Sequence, residues 1–154
     1  MNRYDTSLKY IKTKDLIFVI LYGGVLSILF GVLLGFVDYY ISFGIGISFS
    51  GILFFISSMQ IGKLVRKQYE YPHIVYIVIT AIFLIIQAII IFFLPTIFEI
   101  VKLNNAPELV FDVRLYWVVL KTFINSLFSN FNFNLWLSVF VFTIGVYLGV
   151  KQTY

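Results

Sequence analysis

The sequence predicts an all-α membrane protein: a bundle of four transmembrane helices with an amphipathic helix before the last one. Three observations lead there. Of 154 residues, 61% are hydrophobic and 12% are charged, whereas soluble domains carry about a quarter charged residues. The apolar residues form runs of the ~20 residues that a helix needs to cross hydrocarbon. The basic residues collect on alternate connections between those runs.

Residues 1–15 are polar and basic, with Arg3, Lys9, Lys12 and Lys14 set against Asp5 and Asp15. The first expected span, 16–37, carries no charge. A secretory signal has a shorter apolar core and ends at small residues. Here Asp38, Tyr39 and Tyr40 follow instead, so the expectation is an uncleaved span. Tyrosines with an apolar body and a polar tip suit the membrane interface.

The second expected span is 41–61, rich in serine and glycine. The short connection at Asp38–Tyr40 makes spans one and two antiparallel neighbours. A loop follows, with Lys63, Arg66, Lys67, Glu70, Tyr71 and His73. Pro72 suits the opening of a helix, where its missing N–H costs nothing. The third span is 74–94, and Pro95 is expected to close it.

A mixed connector then reaches Arg114. Within 115–128, Lys121, Thr122, Asn125 and Ser126 fall on one side, and Trp117, Leu120, Phe123 and Ile124 on the other. Such a helix either lies in the interface plane or begins the last span early. The fourth span is 131–150, weakened at its start by Asn132 and Asn134. No linker divides the chain, so 1–154 reads as a single membrane domain.

Lysine and arginine favour the cytoplasmic side of short loops. With four spans, one side holds Arg3, Lys9, Lys12, Lys14, Lys63, Arg66, Lys67 and Lys151. The other holds Lys102, Arg114 and Lys121, completing the 11 basic residues. Both termini are therefore expected in the cytoplasm of a cell with this multi-pass protein in its membrane. The bias toward isoleucine, phenylalanine, asparagine and lysine is that of an AT-rich bacterial genome.

In lipid, helices associate through close backbone approach and interhelical hydrogen bonds. Gly23, Ser27, Gly31 and Gly35 form one small-residue stripe at four-residue spacing. Ser42, Gly46 and Ser50 suggest a second on span two, and Gly145 and Gly149 a third on span four. Each stripe either packs the bundle internally or docks a partner subunit. Gln87, near the middle of span three, should turn its amide toward another helix, with a serine of span two as the natural partner. Thr80 can bond its own backbone.

Several classes of chemistry are disfavoured. The chain has no cysteine and one histidine, which excludes disulfides, thiolate metal sites and multi-histidine sites within one chain. No ionisable residue is expected deep in a span, which argues against a proton-coupled transporter. No nucleophile, zinc or phosphate-loop motif is present, so neither enzymatic activity nor a cofactor is expected. The net charge of +4 suits topology and headgroup attraction rather than nucleic-acid binding.

The expected role is that of an accessory or regulatory membrane protein, bound to another membrane protein or to itself. The loop from Lys63 to His73 is a second candidate contact, with His73 able to titrate near neutral pH. Two alternatives stand beside this reading. One is a homo-oligomeric transporter or channel lined by Gln87, Thr80 and the serines of span two. The other is an immunity protein against a membrane-targeting toxin.

Overall fold

The structure is a computed structural model that describes residues 11–45, 48–129 and 133–154. Every element among the described residues is a helix. α1 (Thr13–Ile20) passes through a π-helical turn at Leu21–Val25 into α2 (Leu26–Ile45), forming one rod. The wide turn coincides with Gly23 and Gly24, where the Phe83 ring lies 2.9 Å from the place a Cβ on Gly24 would take. α3 (Ser50–Arg66), α4 (Ile74–Asn104), α5 (Val113–Ser129) and α6 (Phe133–Lys151) follow. A short 3₁₀ helix, Pro107–Phe111, leads into α5.

By length and composition, two helices suffice to cross a membrane: Thr13–Ser42, with 30 residues, and Ile74–Asn104, with 31. Leu135–Lys151 is a shorter apolar helix.

Two boundaries differ from the sequence reading. The rod does not break at Asp38 but runs on to Ile45, so span two loses its first turns to α2. Asp38 looked like a loop residue because it is charged. Yet it is only 2% exposed, and its carboxylate is bound from the far side of the turn. It accepts from the Phe49 N–H at 2.6 Å and the Ser48 hydroxyl at 2.8 Å. A carboxylate near a helix N-terminus satisfies orphan N–H groups and complements the helix dipole. The charge of α2 thus caps the start of α3.

Second, Pro95 lies inside α4 rather than ending it. An internal proline removes one hydrogen bond and crowds the carbonyl one turn back. Apolar cover on both sides of it favours continuation: Phe93, Leu94 and Ile97 are all buried. The helix ends instead at Asn105, which takes a left-handed conformation with φ 49°. Its N–H reaches the Lys102 carbonyl, and the Ala106 N–H reaches that of Val101, the geometry of a glycine-type helix stop. Of the two expectations for 115–128, the structure has the separate helix: residues 113–129 form an element distinct from α6.

The direction of each helix can be read from its contacts. Gly24 meets Phe83, Gly31 meets Ile90 and Gly35 meets Leu94. The numbers rise together, so α2 and α4 run parallel. Gly51 meets Val141, and Gly149 meets Ser58, so α3 and α6 run parallel as well. Tyr69 stacks on Tyr76 at 4.8 Å, while Ser57 meets Gln87, so α3 and α4 run opposite ways. The result is an up-down bundle built from two parallel pairs.

One apolar cluster, around Val19, Ile61, Val65, Tyr76 and Leu84, joins the first rod, α3 and α4. A smaller cluster, around Phe93, Ile97 and Val119, seats α5 on the last turns of α4.

Candidate functional site

The small-residue stripes come first, because packing depends on them. Gly23, Gly31 and Gly35 all face α4, and Ser27 between them is fully buried. Gly145 faces Phe54, and Gly149 lies against Ser58 and Leu84. These faces are occupied inside the bundle, so the Gly145–Gly149 stripe is not an outward docking strip. The expected stripe Ser42–Gly46–Ser50 is not one helix face. Ser42 lies in the last turn of α2, Gly46 lies outside the described residues, and Ser50 opens α3. The Ser50 side chain is buried and bonded to Ser48 at 2.9 Å.

A polar layer crosses the middle of the bundle. The Gln87 amide donates to Ser57 Oγ at 2.8 Å, and Ser57 donates to the Phe54 carbonyl at 3.0 Å. Ser58 bonds across to the Gly145 carbonyl at 2.9 Å, while Thr80 bonds its own helix at the Tyr76 carbonyl. Gln87 Oε1 and Ser27 Oγ are buried with no partner among the described residues. All these side chains point inward, whereas a path between subunits needs polar groups on the outer surface.

The helix ends on one side form a latch. Arg66 Nε donates to the Tyr154 carbonyl at 2.9 Å and Nη1 to the Tyr69 carbonyl at 2.8 Å. Its guanidinium also lies 5.2 Å from the Tyr69 ring centre. The Tyr69 hydroxyl donates to the Thr153 carbonyl. The Lys12 N–H donates to the Tyr76 hydroxyl at 3.2 Å, and its ammonium pairs with Glu70 at 2.9 Å. The segment around Lys12, the α3–α4 loop and residues 153–154 therefore meet at one end.

Charges at this end shift accordingly. The Lys12 ammonium bonded to Glu70 holds that carboxyl below its ordinary range, and Glu70 raises Lys12 in return. Burial pushes the Tyr69 phenol up, opposed by its bond to Thr153 and by the Arg66 charge. Of the loop residues singled out in the sequence, Lys63, Lys67, Glu70 and Tyr71 are exposed and Arg66 is half-buried. His73 is only 2% exposed, so it does not share their surface. It caps α4 instead, its Nδ1 accepting from the Val75 N–H at 3.2 Å. The sequence reading missed Asp38, Tyr69, Tyr76 and Thr153. For Asp38 the available signal was a serine cluster about ten residues downstream that included a helix start.

α5 presents three faces, as its turn of about 100° per residue allows. Leu115, Tyr116, Val119 and Phe123 pack against α4. Val113, Trp117, Ile124 and Phe128 form an apolar face that is exposed. Arg114, Lys121, Thr122, Asn125 and Ser129 make up an exposed polar face. Between α4, α5 and α6 lies a lateral cavity of about 230 Å³, lined by Ala88, Phe92, Leu120, Phe123, Phe142 and Val146 among others. Phe92 meets both Phe123 of α5 and Phe142 of α6, with ring centres 4.9 and 5.8 Å apart.

Among the described residues, no group of three or more histidine, aspartate or glutamate side chains is placed to hold a metal ion. No protein-family model, curated protein or solved structure matches the chain.

Proposed function

We propose that this chain is a four-span membrane protein that acts by binding another membrane protein, as an accessory or regulatory subunit. The observation that carries this is how its surface is divided. The small-residue faces are used up inside the bundle, while α5 and α6 turn Trp117, Phe128, Trp136 and Phe140 outward. Large exposed apolar patches rimmed by polar residues mark membrane or partner contacts.

The two parallel pairs support the four-span reading. α3 and α6 have 17 and 19 residues, or about 26 and 29 Å of helix, close to the ~30 Å hydrocarbon core. Each runs beside or against a longer apolar helix, which supports a common crossing by all four. The described basic residues Lys12, Lys14, Lys63, Arg66, Lys67 and Lys151 lie toward the latch end. By that bias we read the latch as cytoplasmic and α5 as lying at the opposite interface, its polar face in water.

A channel between copies of the chain has less support, because Gln87, Thr80 and the serines of α3 are buried within one bundle. Protection against a membrane-active toxin is a special case of the binding reading. The test is native mass spectrometry of the chain extracted from its own membranes in mild detergent. A stoichiometric second polypeptide is expected. Recovery of the chain alone, as monomer or homo-oligomer, overturns the reading.

A further inference from the structure

We infer that the cavity between α4, α5 and α6 holds the inner segment of one acyl chain of a phospholipid from the leaflet opposite the latch. The inference rests on the four-span reading, which places these walls in hydrocarbon. The walls are apolar except for Thr143, whose hydroxyl already donates to the Val139 carbonyl at 2.7 Å. Water needs two to four polar partners to settle in such a space, and these walls present none. An apolar guest is required.

Size selects among apolar guests. The cavity holds about 230 Å³, less than the roughly 300–1,000 Å³ typical of clefts for drug-sized ligands. A partner helix, about 10 Å across, rests on the rim rather than entering. The inner segment of a single flexible hydrocarbon chain can enter, and in a bilayer it is the apolar group at hand. A docked partner would then lie over the lipid and not in its place.

Position and charge point to a phospholipid. On α4 the lining runs from Ile85 to Phe93, the middle of the helix, roughly 16 Å of helix short of its end at Asn104. α5 carries Arg114 and Lys121, both exposed, and no acid. Asp112, just before it, turns its carboxylate to the Arg114 N–H at 2.8 Å. Trp117, 66% exposed, is of the residue type that anchors helices at headgroup level. A phosphate at the level of α5 lies in the same interfacial layer as these two cations, which attract anionic headgroups, while its chain passes Leu120 and Phe123 on another face of the helix.

The test uses the full chain reconstituted with palmitoyl-oleoyl phosphatidylglycerol, re-extracted, and examined by native mass spectrometry for retained lipid. The wild type should keep about one phospholipid through detergent exchange. Ala88→Phe, which puts a ring into the cavity, should lower retention about tenfold. Val146→Phe, from the opposite wall, should do the same, so the result does not depend on one variant folding. Arg114→Ala with Lys121→Ala should weaken retention of phosphatidylglycerol more than of phosphatidylcholine. A wild-type chain that stays in the membrane yet keeps no lipid overturns the inference. So does a folded Ala88→Phe or Val146→Phe chain that keeps as much as wild type. A chain released from membranes by alkaline carbonate overturns the four-span reading itself, which makes the two failures distinguishable.

Discussion

The carbonyl oxygen of Gly149 stands where a Cβ on Gly62 would lie, so α3 and α6 meet backbone to backbone. Helices in lipid gain most from such approaches, and a methyl group here must push two main chains apart. Gly62→Ala should therefore lower stability by about 1–3 kcal/mol, read as an earlier thermal unfolding midpoint in detergent. Gly44 is the internal control, because nothing lies within 4 Å of its Cβ position. Gly44→Ala should be neutral or slightly stabilising, since alanine is the better helix former by about 1 kcal/mol. Equal losses from the two changes would show that this contact is not what limits the bundle.

Asp38 reaches from α2 to the start of α3, and removing it takes the cap from that helix start. Asp38→Ala leaves the Phe49 N–H and the Ser48 hydroxyl without their acceptor, at a cost of about 1–3 kcal/mol. Asp38→Asn keeps one acceptor oxygen and should recover part of that loss. Urea unfolding of the detergent-solubilised protein measures both. Wild-type stability in Asp38→Ala would mean that the carboxylate does not hold this turn.

The stripe of Gly23, Gly31 and Gly35 was visible because a helix repeats its faces at fixed spacing, and the structure sets all three against α4. Gln87 was legible for a similar reason, as one amide in an apolar run that must find a partner. Asp38 and Pro95 misled because the rules that end helices at charges and prolines are local. Their outcomes were decided by distant groups: Phe49 and Ser48 for Asp38, apolar cover around Phe93 and Ile97 for Pro95. The cavity beside Phe123 was not legible at all, since it exists only once α5 folds back on α4.

Ser57 and Gln87 form an unequal pair. Ser57→Ala leaves a buried amide N–H unsatisfied, a cost of about 1–3 kcal/mol. Gln87→Leu removes the polar group and keeps most of the volume, so it should cost about 1 kcal/mol or less. The double variant should resemble Gln87→Leu alone. A double-mutant cycle in detergent unfolding checks this, and additive losses would show that the two side chains act independently.

The Lys12–Glu70 pair gives the latch a pH window. Glu70 is depressed in the folded chain, so its contribution is present above the ordinary carboxylate range and fades as pH falls through its lowered value. Lys12 is raised, so its contribution is present below the ordinary lysine range and fades as pH rises past its raised value. The pair therefore acts between about pH 5 and pH 10. Both side chains are exposed, and exposed pairs contribute little. Glu70→Gln should leave the melting point at neutral pH almost unchanged while flattening its small decline in acid. A large drop at neutral pH would mean that the latch depends on this pair rather than on Arg66, Tyr69 and Tyr76.

Orientation can be tested cleanly because the chain has no cysteine. Gly44 and Glu108 lie at the end away from the latch, while Lys67 and Tyr154 lie at the latch, and all four are exposed. In intact cells, a membrane-impermeant maleimide should label Gly44→Cys and Glu108→Cys. Lys67→Cys and Tyr154→Cys should react only after permeabilisation. Each pair reports on one helix: Gly44 and Lys67 bracket α3, and Lys67 and Glu108 bracket α4. Labelling of Gly44→Cys and Lys67→Cys from the same side would remove α3 from the spans and leave two long helices crossing alone. A complete inversion of the pattern would keep four spans but place the latch outside. The basic residues of the latch end would then face the side that lysine and arginine normally avoid.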